Sequence, residues 1–187
     1  MHNIEPFYNW RHIYTAEEDA KSPFFGRVYN EFEFTQTVYN YYIHPQWEYF
    51  GSKTLYLKVL YADYTDGTAI IELIGEWNDA IENDIMILKR DLIDSMIGEG
   101  INKFILITEN VLNFHSGDRD YYEEWFDDVA DNRGWIIALN MPIQTRHDFL
   151  KRKINIYVEL LDLPNWRIFK PQHLFEMIDI EINKRLN

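Results

Sequence analysis

The chain contains no cysteine. That excludes a disulfide framework and thiolate chemistry and fits a reducing compartment, so a cytoplasmic setting is expected. Cationic side chains are also scarce: 18 Lys and Arg stand against 31 Asp and Glu, a formal net charge of −13. Such a surface repels a polyanion unless a concentrated basic patch overcomes it. The densest basic cluster, Arg146, Lys151, Arg152 and Lys153, is too small to reverse the balance, so no nucleic-acid partner is expected. No stretch approaches the roughly 20 apolar residues that a membrane-spanning helix requires. Met1 to Trp10 has neither a basic nor an apolar region of the kind a signal peptide carries, and no membrane partner is expected. The 6 histidines are scattered, without zinc spacing, and Gly98-Glu99-Gly100 follows a helical stretch rather than opening one. Neither a metal nor a cofactor is expected.

What the chain does have is aromatic bulk, 17% of its 187 residues. A chain of this length buries roughly 70% of its unfolded surface and needs no disulfide or metal to hold a core. The composition suits one main domain, residues 54–187, preceded by an aromatic extension, residues 1–53. All tyrosines except Tyr121, Tyr122 and Tyr157 lie before residue 65. Within the extension, Val28 to Phe34 and Thr37 to Ile43 are rich in β-branched and aromatic residues and read as two short strands. His44-Pro45 ends the second, since proline has no N–H for the ladder. So aromatic an arm is expected to be ordered and packed on the main domain.

In the main domain, Leu55 to Tyr64 and Thr68 to Gly75 form a β-hairpin around Asp66-Gly67, which supplies a tight turn. Ile81, Ile85, Leu88, Leu92 and Met96 recur at intervals of three and four, the single stripe of an amphipathic helix capped by Asn78 or Asp79. Then the alternation repeats. Phe104 to Thr108 reads as a buried strand, Tyr121 to Val129 as a helix, and Trp135 to Leu139 as another buried strand. Phe149 to Leu161 reads as a third helix, Trp166 to Phe169 as a last short strand, and Pro171 as the first turn of a final helix reaching Lys184. A hairpin followed by alternating strands and helices predicts an α/β fold, a mixed and mostly parallel sheet with crossover helices.

This order resembles the STAS domain family, the fold of the anti-sigma-factor antagonists. Ile70-Ile71-Glu72-Leu73-Ile74-Gly75-Glu76-Trp77 is similar to the family's second strand and its turn into the first helix. Phe104-Ile105-Leu106-Ile107 is similar to its central strand, and Asn113-Phe114-His115-Ser116-Gly117 takes the place of its Asp-Ser-Ser-Gly loop. Gly134 to Asn140 is similar to the next Gly-led strand, and Arg167-Ile168-Phe169 to the last. The resemblance runs from about residue 54 to 185. It implies a non-catalytic regulatory module that docks a protein partner, a regulatory kinase or an anti-sigma-like factor, beside the Ser116 loop. Ser116 alone matches the family's phosphorylated serine. The loop departs from the pattern, with Phe114 where the family has Asp and His115 in place of the first Ser. The acidic Asp118, Asp120 and Glu123 that follow would oppose a phosphate.

The candidate docking residues are His115, Ser116, Gly117, Asp118 and Tyr121, joined by Trp47 and Tyr49 from the aromatic cluster, since Tyr and Trp concentrate at interaction surfaces. Each also has a plain structural role available: Ser116 as a loop or N-cap residue, the acidic run 118–131 as a solvated helix face, the aromatic cluster as core. Two other functions fit less of the pattern. One is an enzyme using carboxylates at Asp118 to Glu124 with His115 as acid or base. No substrate-gripping motif accompanies it, and Phe114 occupies a position that a nucleophile elbow keeps small. The other is a structural homodimer formed through the N-terminal arm.

Overall fold

The computed structural model describes residues 4–185. Two short strands, β1 (Thr37–Val38) and β2 (Tyr41–Tyr42), form a small antiparallel hairpin in the extension. The main sheet has five strands: β3 (Leu55–Asp63), β4 (Thr68–Asn78), β5 (Lys103–His115), β6 (Trp135–Leu139) and β7 (Glu159–Leu161). Their spatial order is the chain order. β3 and β4 are antiparallel, and every later pair is parallel, as the sequence predicts. The expected Asp66-Gly67 turn is present. Asp63 Oδ1 accepts from the N–H groups of Thr65 (2.8 Å) and Asp66 (3.2 Å), and Gly67 takes the left-handed φ of +66°.

The two faces of the sheet are covered differently. One face carries Leu57, Val59, Ala69, Ile71, Phe104, Leu106 and Ile136 against the crossover helices. These are α1 (Asp84–Leu88) and α2 (Asp94–Gly98), joined by a π-helical turn over Lys89–Ile93, then α3 (Asp120–Ala130) and α4 (Ile143–Lys151). The other face carries Ile70, Ile105, Ile107, Ile137 and Leu139 against α5 (Pro171–Arg185) and the N-terminal Trp10. Alternating residues of β4 and β5 thus serve both layers, which is why these strands read as continuous apolar runs.

The extension is tied down by its aromatic residues. Trp10 Nε1 donates to Phe169 O at 2.9 Å, and Phe7, Trp10 and Trp166 meet edge to face. The Phe7 N–H donates to the carboxylate of Glu72, buried in β4, at 2.7 Å. Phe24 and Phe50 enter the helix-side core.

Several expected elements are corrected. Val28 to Phe34 is not a strand: no neighbouring strand satisfies its backbone, and Val28 and Phe32 are 95% and 92% exposed. Thr37 to Ile43 folds back on itself as β1 and β2, with Tyr39 in a left-handed turn. The first helix starts at Asp84, not at residue 78 or 79, and Ile81 lies outside it at 80% exposure. Lys89 opens the π turn, and its fully buried side chain meets Asp94, Asp128 (2.7 Å) and Glu124 (3.6 Å). β5 runs to His115 rather than Thr108, because β4 also runs on and pairs it out to Asn78–His115.

The apolar residues at 149–161 have helical spacing but divide among three elements. α4 ends at Lys151, a 3-10 turn covers Ile154–Ile156, and β7 pairs with the edge of β6. The helix stops where Lys153 takes φ +58°, and ladder bonds to β6 then compete successfully with helical ones. Trp166 to Phe169 holds a 3-10 turn instead of a strand, so Glu159–Leu161 fills the place expected for Arg167-Ile168-Phe169.

Candidate functional site

The Ser116 loop leaves β5 at the carboxyl end of the parallel strands and enters α3. In open α/β sheets this rim is where the polypeptide exposes turns on a rigid base. Here two loops are stitched together at that rim. His115 O accepts from the N–H groups of Asp79 (2.8 Å) and Ala80 (3.1 Å). Gly117 lies so close to the other loop that a Cβ there would sit 2.8 Å from Asp79 O. Its glycine is required by that approach, since its φ is ordinary.

Asp79 anchors the pair from below. Its Oδ1 accepts from Trp77 Nε1 (2.9 Å) and the Ile85 N–H (2.8 Å), and its Oδ2 from the Tyr122 hydroxyl (2.6 Å). One buried carboxylate therefore holds the end of β4, the first turn of α1 and the first turn of α3. It also binds the helix start that the sequence assigned to it, although the loop of residues 80–83 intervenes before α1. Burial pushes the Asp79 carboxyl up to about 7 against the three hydrogen bonds that favour its charged form. Burial, followed by the charge of Asp79, pushes the Tyr122 phenol well above its usual range.

Above this base, Ser116 is half-buried, and its Oγ accepts from Arg152 Nε at 2.7 Å, across the gap to the end of α4. Ser116 is not the helix cap. Arg119 holds that position, without a side-chain capping bond. The exposed His115 ring contacts Glu76 on the neighbouring strand. One step further along, Asn113 Nδ2 donates to the Tyr39 hydroxyl at 2.8 Å, which brings the β1–β2 hairpin to the border of the site. An open cleft runs between the 79–83 loop, the 115–118 loop and the end of α4. Its walls include Ile81, Ser116, Tyr121 and Arg152.

The five candidates His115, Ser116, Gly117, Asp118 and Tyr121 are thus brought together. Asp118 is exposed on one lip and Tyr121 half-buried in the wall. Trp47 and Tyr49 are not part of this cleft. Trp47 is 1% exposed and donates its Nε1 to Ile4 O at 2.7 Å, so it is core and offers no surface to a partner. Tyr49 is exposed, with its hydroxyl on Gly51 O at 3.1 Å.

The alternative acid–base arrangement is not assembled. His115 meets Glu76, a residue outside the acidic run, and Ser116 meets an arginine in place of a base. Glu124 and Asp128 are engaged by Lys89, with Arg90 also on Glu124. Among the described residues no group of three or more metal-ligating side chains converges. No described helix is long and apolar enough to cross a membrane.

Sequence reasoning missed Arg152, Glu76 and Asp79 as members of the site. Arg152 stood out only as part of a basic cluster. Asp79 was visible as a helix-capping residue, but nothing local links it to Tyr122, 43 positions on.

No protein-family model matches the sequence, and no curated protein matches it. Solved structures do. The unphosphorylated form of the anti-sigma factor antagonist SpoIIAA superposes with a TM-score of 0.50 at 14% identity, covering 66% of this chain and 96% of that one. The phosphorylated form of the Bacillus cell fate determinant SpoIIAA gives 0.44 at 13% identity, covering 65% of this chain and 98% of that one. This chain therefore has a SpoIIAA-like α/β fold.

Proposed function

We propose that this chain is a non-catalytic regulatory module that docks a protein partner through the face bearing His115, Ser116, Gly117, Asp118 and Tyr121. The observation that carries the reading is the placement of Ser116. Its hydroxyl stands at the rim of an open cleft, on the loop after the central parallel strand, and is held by a cation instead of a catalytic base. An anti-sigma factor antagonist that exists in an unphosphorylated form shares the fold. Carried over to this chain, the likeness makes Ser116 the switch residue and a regulatory kinase or an anti-sigma-like factor the partner class. Residues 1–53 are an extension of that module, and the exposed Tyr49 belongs to its outer surface. The setting consistent with this role is cytoplasmic.

Arg152 alters the electrostatics inferred from sequence. A phosphate carries about −1.5 to −2 charge at neutral pH and suffers beside Asp118, Asp120 and Glu123, but a guanidinium already in contact with the Ser116 oxygen offsets that repulsion. The test compares wild type, Ser116→Ala and Ser116→Asp as immobilised baits in a lysate of the source cells, with retained proteins quantified by mass spectrometry. Wild type and Ser116→Ala should retain the same partner, and Ser116→Asp should lose it. Equal retention by all three refutes the switch.

A further inference from the structure

Three consecutive cations at the end of α4 have no carboxylate partner among the described residues. Lys151, Arg152 and Lys153 are exposed, and among the described residues none of them makes an ion pair, in a chain with 31 acidic side chains. Lys58, Lys89, Arg90, Arg146 and Arg167 find carboxylates, and the other described cations without one, such as Arg11, Arg119, Arg133 and Lys170, stand singly in the chain. The helix dipole accounts for Lys151, since a positive charge is favoured in the last turn. It does not account for Lys153, which sits at φ +58° directly after the C-cap, where the left-handed backbone ordinarily selects glycine. A side chain is strained there, and the one present is a cation. Arg152 is oriented as well as charged. Its Nε is spent on Ser116 Oγ, and among the described residues the two terminal nitrogens of the guanidinium, at the mouth of the cleft, have no acceptor.

We propose that this cleft receives an acidic segment of the protein partner, with one carboxylate taking the two terminal nitrogens of Arg152 side by side. Lys151 lines the cleft beside that contact. The proposal rests on the reading of the Ser116 face as the docking surface and names the chemistry of what docks there. A planar fork meeting a planar carboxylate is the geometry arginine serves best. The other acidic groups decide against a run of negative charge: Asp148 lies beside Lys151, Asp118 and Asp120 lie on the facing wall, and only the place at Arg152 suits a single carboxylate. A peptide can place a carboxylate on Arg152 and an apolar residue beside it, and Ile81, 80% exposed on the lip, supplies the apolar contact. The net charge of −13 opposes an acidic partner at long range. That repulsion acts through solvent and is screened over about 8 Å at physiological salt, whereas the fork acts in contact. A charge placed on Ser116 competes for the same guanidinium, so occupation of Arg152 from within the chain would exclude the partner.

The experiment is fluorescence anisotropy with a short fluorescein-labelled peptide of Leu and Ser carrying a single Glu, and with its single-Gln counterpart. The proteins are full-length wild type, Arg152→Ala, Arg152→Lys and Ser116→Asp, each first shown to melt like the wild type. The wild type should bind the Glu peptide and not the Gln peptide. Both Arg152 variants and Ser116→Asp should weaken binding by about tenfold or more, the lysine variant because it keeps the charge and loses the fork. Failure of the wild type to bind, equal binding of the Gln peptide, or variants that bind like the wild type overturns the proposal. So does displacement of the Glu peptide by inorganic phosphate at the peptide's own concentration, which would mark a small-anion site. Retention of the lysate partner that depends on Ser116 while the peptide ignores Arg152 removes this inference and leaves the switch. Peptide binding that needs Arg152, with lysate retention blind to Ser116→Asp, removes the switch and leaves the acidic segment.

Discussion

Tyr122→Phe tests the base of the site, because it deletes one oxygen atom and leaves the shape of the core unchanged. The Tyr122 ring is buried, stacked on Trp77 at 6.1 Å and edge-on to Phe149, and phenylalanine keeps both contacts. What is lost is the 2.6 Å bond from the hydroxyl to Asp79 Oδ2. A hydrogen bond to a charged group contributes roughly 1.5–3 kcal/mol, and one between neutral groups roughly 0.5–1.5 kcal/mol. The cost therefore depends on the charge of Asp79, whose carboxyl titrates at about 7 in the folded protein. At pH 8.5 Asp79 is ionised and Tyr122→Phe should cost about 1.5–3 kcal/mol. At pH 5.5 it is protonated and the cost should fall to about 1 kcal/mol. Urea unfolding followed by tryptophan fluorescence at the two pH values measures both. For a chain of this size, each kcal/mol also corresponds to about 2–4 °C in Tm. A cost that is equal at the two pH values, or larger at pH 5.5, would refute the assignment of Asp79 as the titrating group beneath the loop.

Three further outcomes are expected. Glu48, Glu72 and Asp79 each have a folded pKa raised to about 7, chiefly by burial, above the value of the unfolded chain. The folded state thus binds more protons between about pH 4.5 and 7, so wild-type stability should fall as pH rises through 7. A urea midpoint that increases from pH 5.5 to 8.5 would contradict this. Gly117→Ala forces a Cβ within 2.8 Å of the Asp79 carbonyl oxygen and should cost about 1–3 kcal/mol, whereas Gly98→Ala meets nothing within 4 Å and should be neutral or stabilising. Equal melting temperatures for those two variants would count against the close approach of the loops. Trp47→Ala should cost about 3–5 kcal/mol as a core truncation, and Phe32→Ala should stay within about 0.5 kcal/mol, as differential scanning calorimetry can establish.

Much of the main domain was legible because its signals are local or periodic. The β3–β4 hairpin announces itself through Asp66-Gly67, and β6 through an apolar run that the structure reproduces residue for residue. Helix α3 was visible in the Tyr122, Trp125 and Val129 stripe, all buried. The failures share a cause: apolar spacing records which residues are buried and not what they pair with. Ile154, Tyr157 and Leu161 satisfy a helical stripe, yet their backbone is used by a 3-10 turn and by pairing to β6. Val28 and Phe32 carry strand propensity without a partner strand and stand in solvent. The reach of β5 to His115 depends on β4 running alongside it, which lies outside any window on β5 itself.

For the site, the sequence by itself determined the chemical inventory: a serine and a glycine after a buried strand, an acidic helix start, a basic cluster far along the chain, and no cysteine. It also determined the α/β alternation, since strand and helix periods are properties of neighbours a few residues apart. Only the tertiary structure decided which of these groups meet. It turned Trp47 into core, set Glu76 beside His115, and brought Arg152 across 36 positions to the Ser116 hydroxyl. Contacts at that separation are set by how the crossovers pack on the sheet, and a hydrogen bond of 2.7 Å depends on that packing and leaves no periodic trace along the chain.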